Sequence, residues 1–166
     1  MPLPTNRTTS STPAEHVADH NALHAEYNTP THTHSGTTVG TLGYAQVTAT
    51  QGSITTEADL TSLTATVTVA AGRRIKITGV VLVQTTNTDT IAYLRIKEST
   101  TVLQIASQMF HLSTDVLALR ATSVLTPSAG SHTYKLSLAR QGGTGTLSMV
   151  AGATFPAFIL VEDIGT

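Results

Sequence analysis

At 166 residues, with a net charge of −1 and no cysteine, the chain has room for one ordinary β domain and a short appendage, which excludes two large domains and any disulfide framework. Hydrophobic residues make up 40% of it and charged residues 11%, enough to build a core but not the clustered Lys/Arg face that nucleic-acid recognition requires. Thirty-three residues are threonine, whose β-branch suits strands and whose hydroxyl keeps an exposed strand face wet without charge.

Residues 1–11, rich in Pro, Thr, Ser and Asn, read as an extended arm, with Pro2 and Pro4 favouring polyproline or β dihedrals. The start, Met-Pro-Leu-Pro-Thr-Asn-Arg, has no apolar core of the signal-peptide kind. No apolar run reaches the ~18 residues that span a bilayer. The chain is therefore expected to be made in the cytoplasm, without a membrane partner. Residues 12–28 form the single expected helix. Thr12-Pro13-Ala14-Glu15 is a capping box with proline at the first helical position, and Asn28 stops the helix before Pro30. Its thin apolar stripe, Val17, Leu23 and Tyr27 with intervening alanines, is marginal alone and predicts a helix that docks on something larger. Residues 29–43, dominated by Thr, Gly and Pro, are expected to be an irregular linker. The arm, helix and linker, 1–43, thus form one docking region ahead of a β domain at 44–166.

From Tyr44 onward the pattern changes to strands, expected at 45–50, 62–70, 74–84, 90–97, 101–110, 116–125, 132–140, 145–151 and 157–162. Leu63, Ala65, Val67 and Val69 alternate with Thr64, Thr66 and Thr68, and His132, Tyr134, Leu136 and Leu138 alternate with Thr133, Lys135 and Ser137; both read as half-buried antiparallel strands. Ala70-Ala71-Gly72 reads as a turn, Arg73-Arg74 as a strand entrance, and Lys97-Glu98-Ser99-Thr100 as a tight hairpin. The unbroken apolar run at 157–161 suits a fully buried last strand. Short strands at regular spacing, with no helices between them and no fixed repeat, predict an all-β, antiparallel jelly-roll sandwich.

Chemistry-bearing motifs are sparse. His16, His20 and His24 share a helical face, but the inverted-zincin pattern needs glutamate where Asp19 stands. No Gly-x-Ser-x-Gly elbow exists. Gly142-Gly143-Thr144-Gly145 precedes a strand and so lacks the helix N-terminus of a phosphate loop. Glu57 with Asp59, and Glu162 with Asp163, are close carboxylate pairs; adjacent strand residues face opposite ways, so the second pair cannot act as a dyad. No catalytic residue is assigned. An alternative from a different class is a carbohydrate-binding β-sandwich module, which would contact glycans through Tyr93, Tyr134 or Asp residues in exposed loops. His32 and His34, two apart, project to one side of an extended chain; on a three-fold axis three copies would place six imidazoles around one transition-metal ion.

Two stretches carry a resemblance. Residues 12–28 (Thr-Pro-Ala-Glu-His-Val-Ala-Asp-His-Asn-Ala-Leu-His-Ala-Glu-Tyr-Asn) resemble the short helix that opens many virion proteins of tailed phages. Ala129-Gly-Ser-His-Thr-Tyr-Lys-Leu136 and Pro156-Ala-Phe-Ile-Leu-Val-Glu-Asp-Ile-Gly165 resemble the last strands of their TNF/C1q-like jelly rolls. His-x-His before Ser-Gly resembles metal-binding segments of trimeric tail fibres. The resemblance implies a homotrimer on the virion surface, with no catalytic residues. Its arm would dock through Val17, Leu23 and Tyr27 on the major capsid protein, or on a tail component with the jelly roll turned toward a host glycan. Strands around 79–84, 101–106 and 156–161 would supply the inter-subunit core.

Overall fold

A computed structural model describes residues 40–166; the expected arm, helix and all but the last four residues of the linker lie outside the described residues. Ten strands run in order: β1 (Gly40–Val47), β2 (Gln51–Ile54), β3 (Ala58–Val69), β4 (Arg74–Thr85), β5 (Thr90–Glu98), β6 (Thr101–Phe110), β7 (Val116–Leu125), β8 (Gly130–Gly142), β9 (Leu147–Val150) and β10 (Ala157–Gly165). There is no helix among the described residues.

The strands form two antiparallel sheets. In the first, β4 is central: β7 pairs along one side, while β10 (against Arg74–Val80) and β9 (against Leu82–Thr85) share the other, backed by β1 and β2. The second has the order β3-β8-β5-β6. The expected all-β, antiparallel jelly-roll sandwich is what the chain forms.

The core is the set of inward positions that period-2 alternation assigns. Leu63, Ala65, Val67 and Val69 of β3 are buried while the threonines between them are exposed. They face Ile75, Ile77, Val81 and Val83 of β4, and Leu94, Ile96, Tyr134, Leu136 and Phe110 complete the layer. Gly79 interrupts the inward row of β4 because Leu136 occupies the space: a Cβ there would stand 2.5 Å from Leu136 Cδ2. Gly72 makes the β3–β4 turn at φ 73°. Beyond that turn Arg73 and Asp163 form a buried two-point ion pair, Nε to Oδ2 and Nη2 to Oδ1, both 2.6 Å. The neighbouring Glu162 points outward to Lys76 at 2.6 Å, so the two carboxylates part across the sheet as adjacent strand residues must.

Three expectations need correction. Residues 40–43, expected to end an irregular linker, are the first half of β1 and pair with β10. β2 was not among the expected strands: Gln51-Gly52-Ser53-Ile54 is short and carries no alternation. The last strand is not buried on both faces. Ala157, Ile159, Val161 and Asp163 are buried, but Phe158, Leu160 and Glu162 alternate with them on the outer surface, half-exposed. An unbroken apolar run conceals this alternation because both faces are apolar.

β6 is a free edge of the second sheet, and edges invite strand-to-strand association. The two-residue turn Ser99-Thr100 is closed by the Glu98–Thr101 pair. Counting from that hydrogen-bonded pair, and past the bulge between Ile96 and Lys97, the backbones of Ile105, Ser107 and Met109 point away from β5. Two of those three carbonyls are taken by the strand's own side chains: Gln104 Nε2 donates to Ile105 O and Gln108 Nε2 to Met109 O, each at 3.1 Å. The double substitution Gln104→Ala/Gln108→Ala is expected to leave the fold intact and raise concentration-dependent association, read by light scattering against the parent. Equal scattering would show that these amides do not guard the edge.

Candidate interaction surface

The outer face of the first sheet is unusually apolar for an exposed strand surface. Cross-strand register builds it row by row. Tyr44, Leu160 and Thr78 lie abreast, then Gln46, Phe158 and Val80, and then Leu82 between Val150 and Ala118. Tyr44 is 52% exposed, and its ring lies 6.0 Å from that of Phe158. Lys76–Glu162 and Arg120 form a charged rim. Beneath the face, Thr78 Oγ1 is buried and has no hydrogen-bond partner among the described residues. A second apolar strip lies elsewhere on the molecule: Val102, Ile105 and Met109 of β6 are each about two-fifths exposed, opposite Lys97, Arg95 and Ile91.

Away from that β6 strip, the outer face of the second sheet is polar. The β2–β3 loop lays Glu57 across it. The Glu57 carboxylate accepts from Lys97 Nζ (2.8 Å), Ser137 Oγ (2.8 Å) and Arg95 Nη1. Asp59 pairs with Lys135. The loop covers Ser137 completely, which is why that outward-facing residue is nonetheless buried. The Lys97 hydrogen bond, helped by Ser137 and Arg95, holds the Glu57 carboxyl below its usual 4.5 against the opposing effect of burial.

His132 ties two turns together at one end of this sheet. Its Nδ1 lies 2.7 Å from Glu98 Oε1 beside the β5–β6 hairpin, and its Nε2 lies 2.9 Å from Ser128 O in the β7–β8 loop. A carboxylate and a carbonyl only accept, so the imidazolium, with two N–H groups, satisfies both. The bond to Glu98 and then that to Ser128 raise the His132 pKa above 6.5. The ring stacks on Tyr134 (6.1 Å between centroids, 5° between planes). Burial, with the Glu98 charge, pushes the Tyr134 phenol up to about 12, so it stays neutral.

These two groups bound stability from opposite sides. The Glu57 contribution is present above 4.5, the unfolded value, and is lost as pH falls through its lowered folded value. The His132 contribution is complete below 6.5 and is lost as pH rises through its raised folded value. A profile of Tm against pH is therefore expected to decline on the alkaline side of pH 6.5. Glu98→Gln is expected to flatten that decline and lower the His132 midpoint in NMR titration. An unchanged midpoint would remove Glu98 as its cause.

The expected site residues fare differently. Val17, Leu23 and Tyr27, and the proposed metal ligands His32 and His34, lie outside the described residues. No group of three or more His, Cys, Asp or Glu side chains among the described residues is placed to hold a metal. Tyr134 is fully buried and cannot touch a glycan, which overturns its assignment: the alternation that marks it as inward also takes it from the surface. Tyr93 is half-buried, with the Arg95 guanidinium 5.8 Å from its ring centre. Among the strands expected to supply an inter-subunit core, 79–84 and 156–161 present Val80, Leu82, Phe158 and Leu160 outward, and 101–106 presents Val102 and Ile105. The Glu57 cluster and the His132 tie were not expected, because their partners lie 34 to 80 residues apart in sequence.

No family model and no curated protein sequence matches the chain. Among solved structures, murine APRIL at pH 5.0 superposes with a TM-score of 0.50, covering 75% of this chain and 99% of that one at 8% identity. The fold is a TNF-like jelly roll. Eiger TNF from S. frugiperda is also similar, with 11% identity, a TM-score of 0.47 and coverage of 77% and 94%. At such identities the likeness is one of fold. On this TNF-like jelly roll the two apolar surfaces occupy different strands: one spans β1, β10 and β4, and the other runs along β6.

Proposed function

We propose that the chain is a non-enzymatic structural protein of a tailed-phage virion: a homotrimer that decorates the capsid, fastened to the major capsid protein through residues 1–28. The observation that carries the assembly is the pair of exposed apolar surfaces on different parts of one domain. Two unlike patches meet head to tail, and a head-to-tail contact either closes into a ring or runs on as a filament. A closed trimer covers both patches in every copy. The phage assignment is supported by the resemblance of residues 12–28 and of the last strands to virion proteins. Low charge and high threonine suit a subunit that holds to a lattice by burial and by the avidity of three arms.

The deciding experiment is copy number per virion, by quantitative mass spectrometry against the major capsid protein. A stoichiometric ratio supports decoration; a handful of copies moves the protein to the tail, as a minor tail or fibre component. Deleting residues 1–28 is expected to abolish attachment to particles and leave the trimer intact. A truncated protein that still decorates shells would refute the docking role of the arm.

A further inference from the structure

We propose that an open groove between β1–β2 and β3 is a binding site for a neutral, hydroxyl-rich ligand the size of one hexose ring. The groove encloses about 300 Å³, at the lower end of ligand-pocket volumes. It exists because two ladders are interrupted beside it. β3 advances from Asp59 to Thr64 while β8 advances only from Ser137 to Lys135, and β2 advances from Gln51 to Ile54 while β9 advances from Met149 to Leu147. Each bulge carries a serine in the left-handed region, Ser62 at φ 61° and Ser53 at φ 62°, a conformation that costs a non-glycine residue about 1 kcal/mol or more. Bulges of this kind re-aim side chains and leave backbone groups out of the ladder.

The groove is held in shape. Gln51 spans it as a substitute strand: its Nε2 donates to Asp59 O at 3.2 Å, and its Oε1 accepts from Thr61 N at 2.8 Å. That pins the free edge of β3 on either side of Asp59-Leu60-Thr61. Thr50 Oγ1 in turn bonds the Ala151 backbone just after β9, at 3.5 Å to its carbonyl and 3.4 Å from its N–H.

The lining selects the ligand class. Val47 and Ala49 give an apolar surface over the buried Met149 side chain, and Thr50, Thr61 and Ser62 give hydroxyls. The hydroxyls of Thr61 and Ser62 make no bond to any other described residue. No charged side chain lines the groove, so an anion or cation placed there would lose hydration without a counter-charge. A sugar ring has what the groove complements: a C–H face for the apolar wall and hydroxyls that both donate and accept. The site belongs to one copy, so it does not depend on trimer formation or on where the protein is mounted.

Methionine methyl labelling tests this on the full chain. Met149 lines the groove and Met109 lies on β6, so one spectrum holds a reporter and an internal control. Titration with glucose, galactose, mannose and N-acetylglucosamine is expected to shift the Met149 methyl saturably with at least one of them, leaving Met109 still. Ala49→Phe, at an exposed position, is expected to abolish the shift by filling the groove. Thr61→Val/Ser62→Gly is expected to weaken it about tenfold through lost hydrogen bonds. A Met149 signal unmoved by all four sugars overturns the proposal, as does a shift that persists in Ala49→Phe. Glucuronate moving Met149 as strongly as glucose would overturn the neutral class.

Discussion

Tyr134→Ala is expected to destabilise the domain by about 3–5 kcal/mol, while Tyr134→Phe leaves it unchanged or slightly more stable. The two outcomes separate the ring from its hydroxyl. The ring is fully buried among β-strand side chains of both sheets, so deleting it opens a cavity that a close-packed interior cannot collapse to fill. The hydroxyl is buried with no hydrogen-bond partner among the described residues, so removing it relieves a desolvated polar group. Denaturant unfolding of the three proteins, with m-values compared to confirm a shared unfolded state, gives the numbers. A Tyr134→Phe loss approaching that of Tyr134→Ala would mean that the hydroxyl has a partner.

If the proposed head-to-tail trimer forms, Leu160→Arg is expected to reduce it to monomer without unfolding the domain, and Ile105→Arg to do the same from the other side of the contact. Both positions face outward, half-buried or exposed, so the charge stays hydrated in the monomer and is desolvated only against a neighbour. The mixture of the two is the sharper test. In a head-to-tail contact an intact sheet face on one variant can still receive an intact β6 strip from the other, giving dimers that cannot extend. In a contact of like with like, no such rescue exists. Sedimentation velocity of each variant and of the equimolar mixture distinguishes these. Trimers that persist in both single variants would place the assembly contact elsewhere.

The strand inventory was legible because its signal is local. The Thr/aliphatic alternation of β3 and the Leu/Ser alternation of β8 state which side is inward, and Ser99-Thr100 sits between two apolar runs where only a tight turn fits. What alternation cannot give is what lies beyond a strand's own two faces. Phe158 and Leu160 read as core because nothing in 157–161 distinguishes a side chain under a second sheet from one that faces a neighbour. Arg73 read correctly as the entrance to a strand, yet its pairing with Asp163 spans 90 residues and has no local trace. Tyr134 fails as a surface residue for the converse reason: the same alternation that makes it a strand residue places it on the inward side. The groove beside β2 escaped because bulges are written in register shifts, and register needs both strands.

The pairing of β4 with β10 sets an order of assembly in time. β4 is the centre of its sheet, but its neighbour along Arg74–Val80 is β10, and among the described residues β1 has no strand partner other than β10. Until β10 arrives, β1 and half of β4 present open, apolar edges, and Arg73 waits with its counter-ion unmade. The hairpin of β5 and β6 can close within microseconds, whereas the sheet that carries the apolar face must bridge most of the domain before any of its long-range contacts is rewarded. During synthesis the nascent chain therefore passes through a window in which it is most prone to pair with the wrong strand. That window closes only when β10 is released, and the surface that would join one copy to the next is completed in the same step.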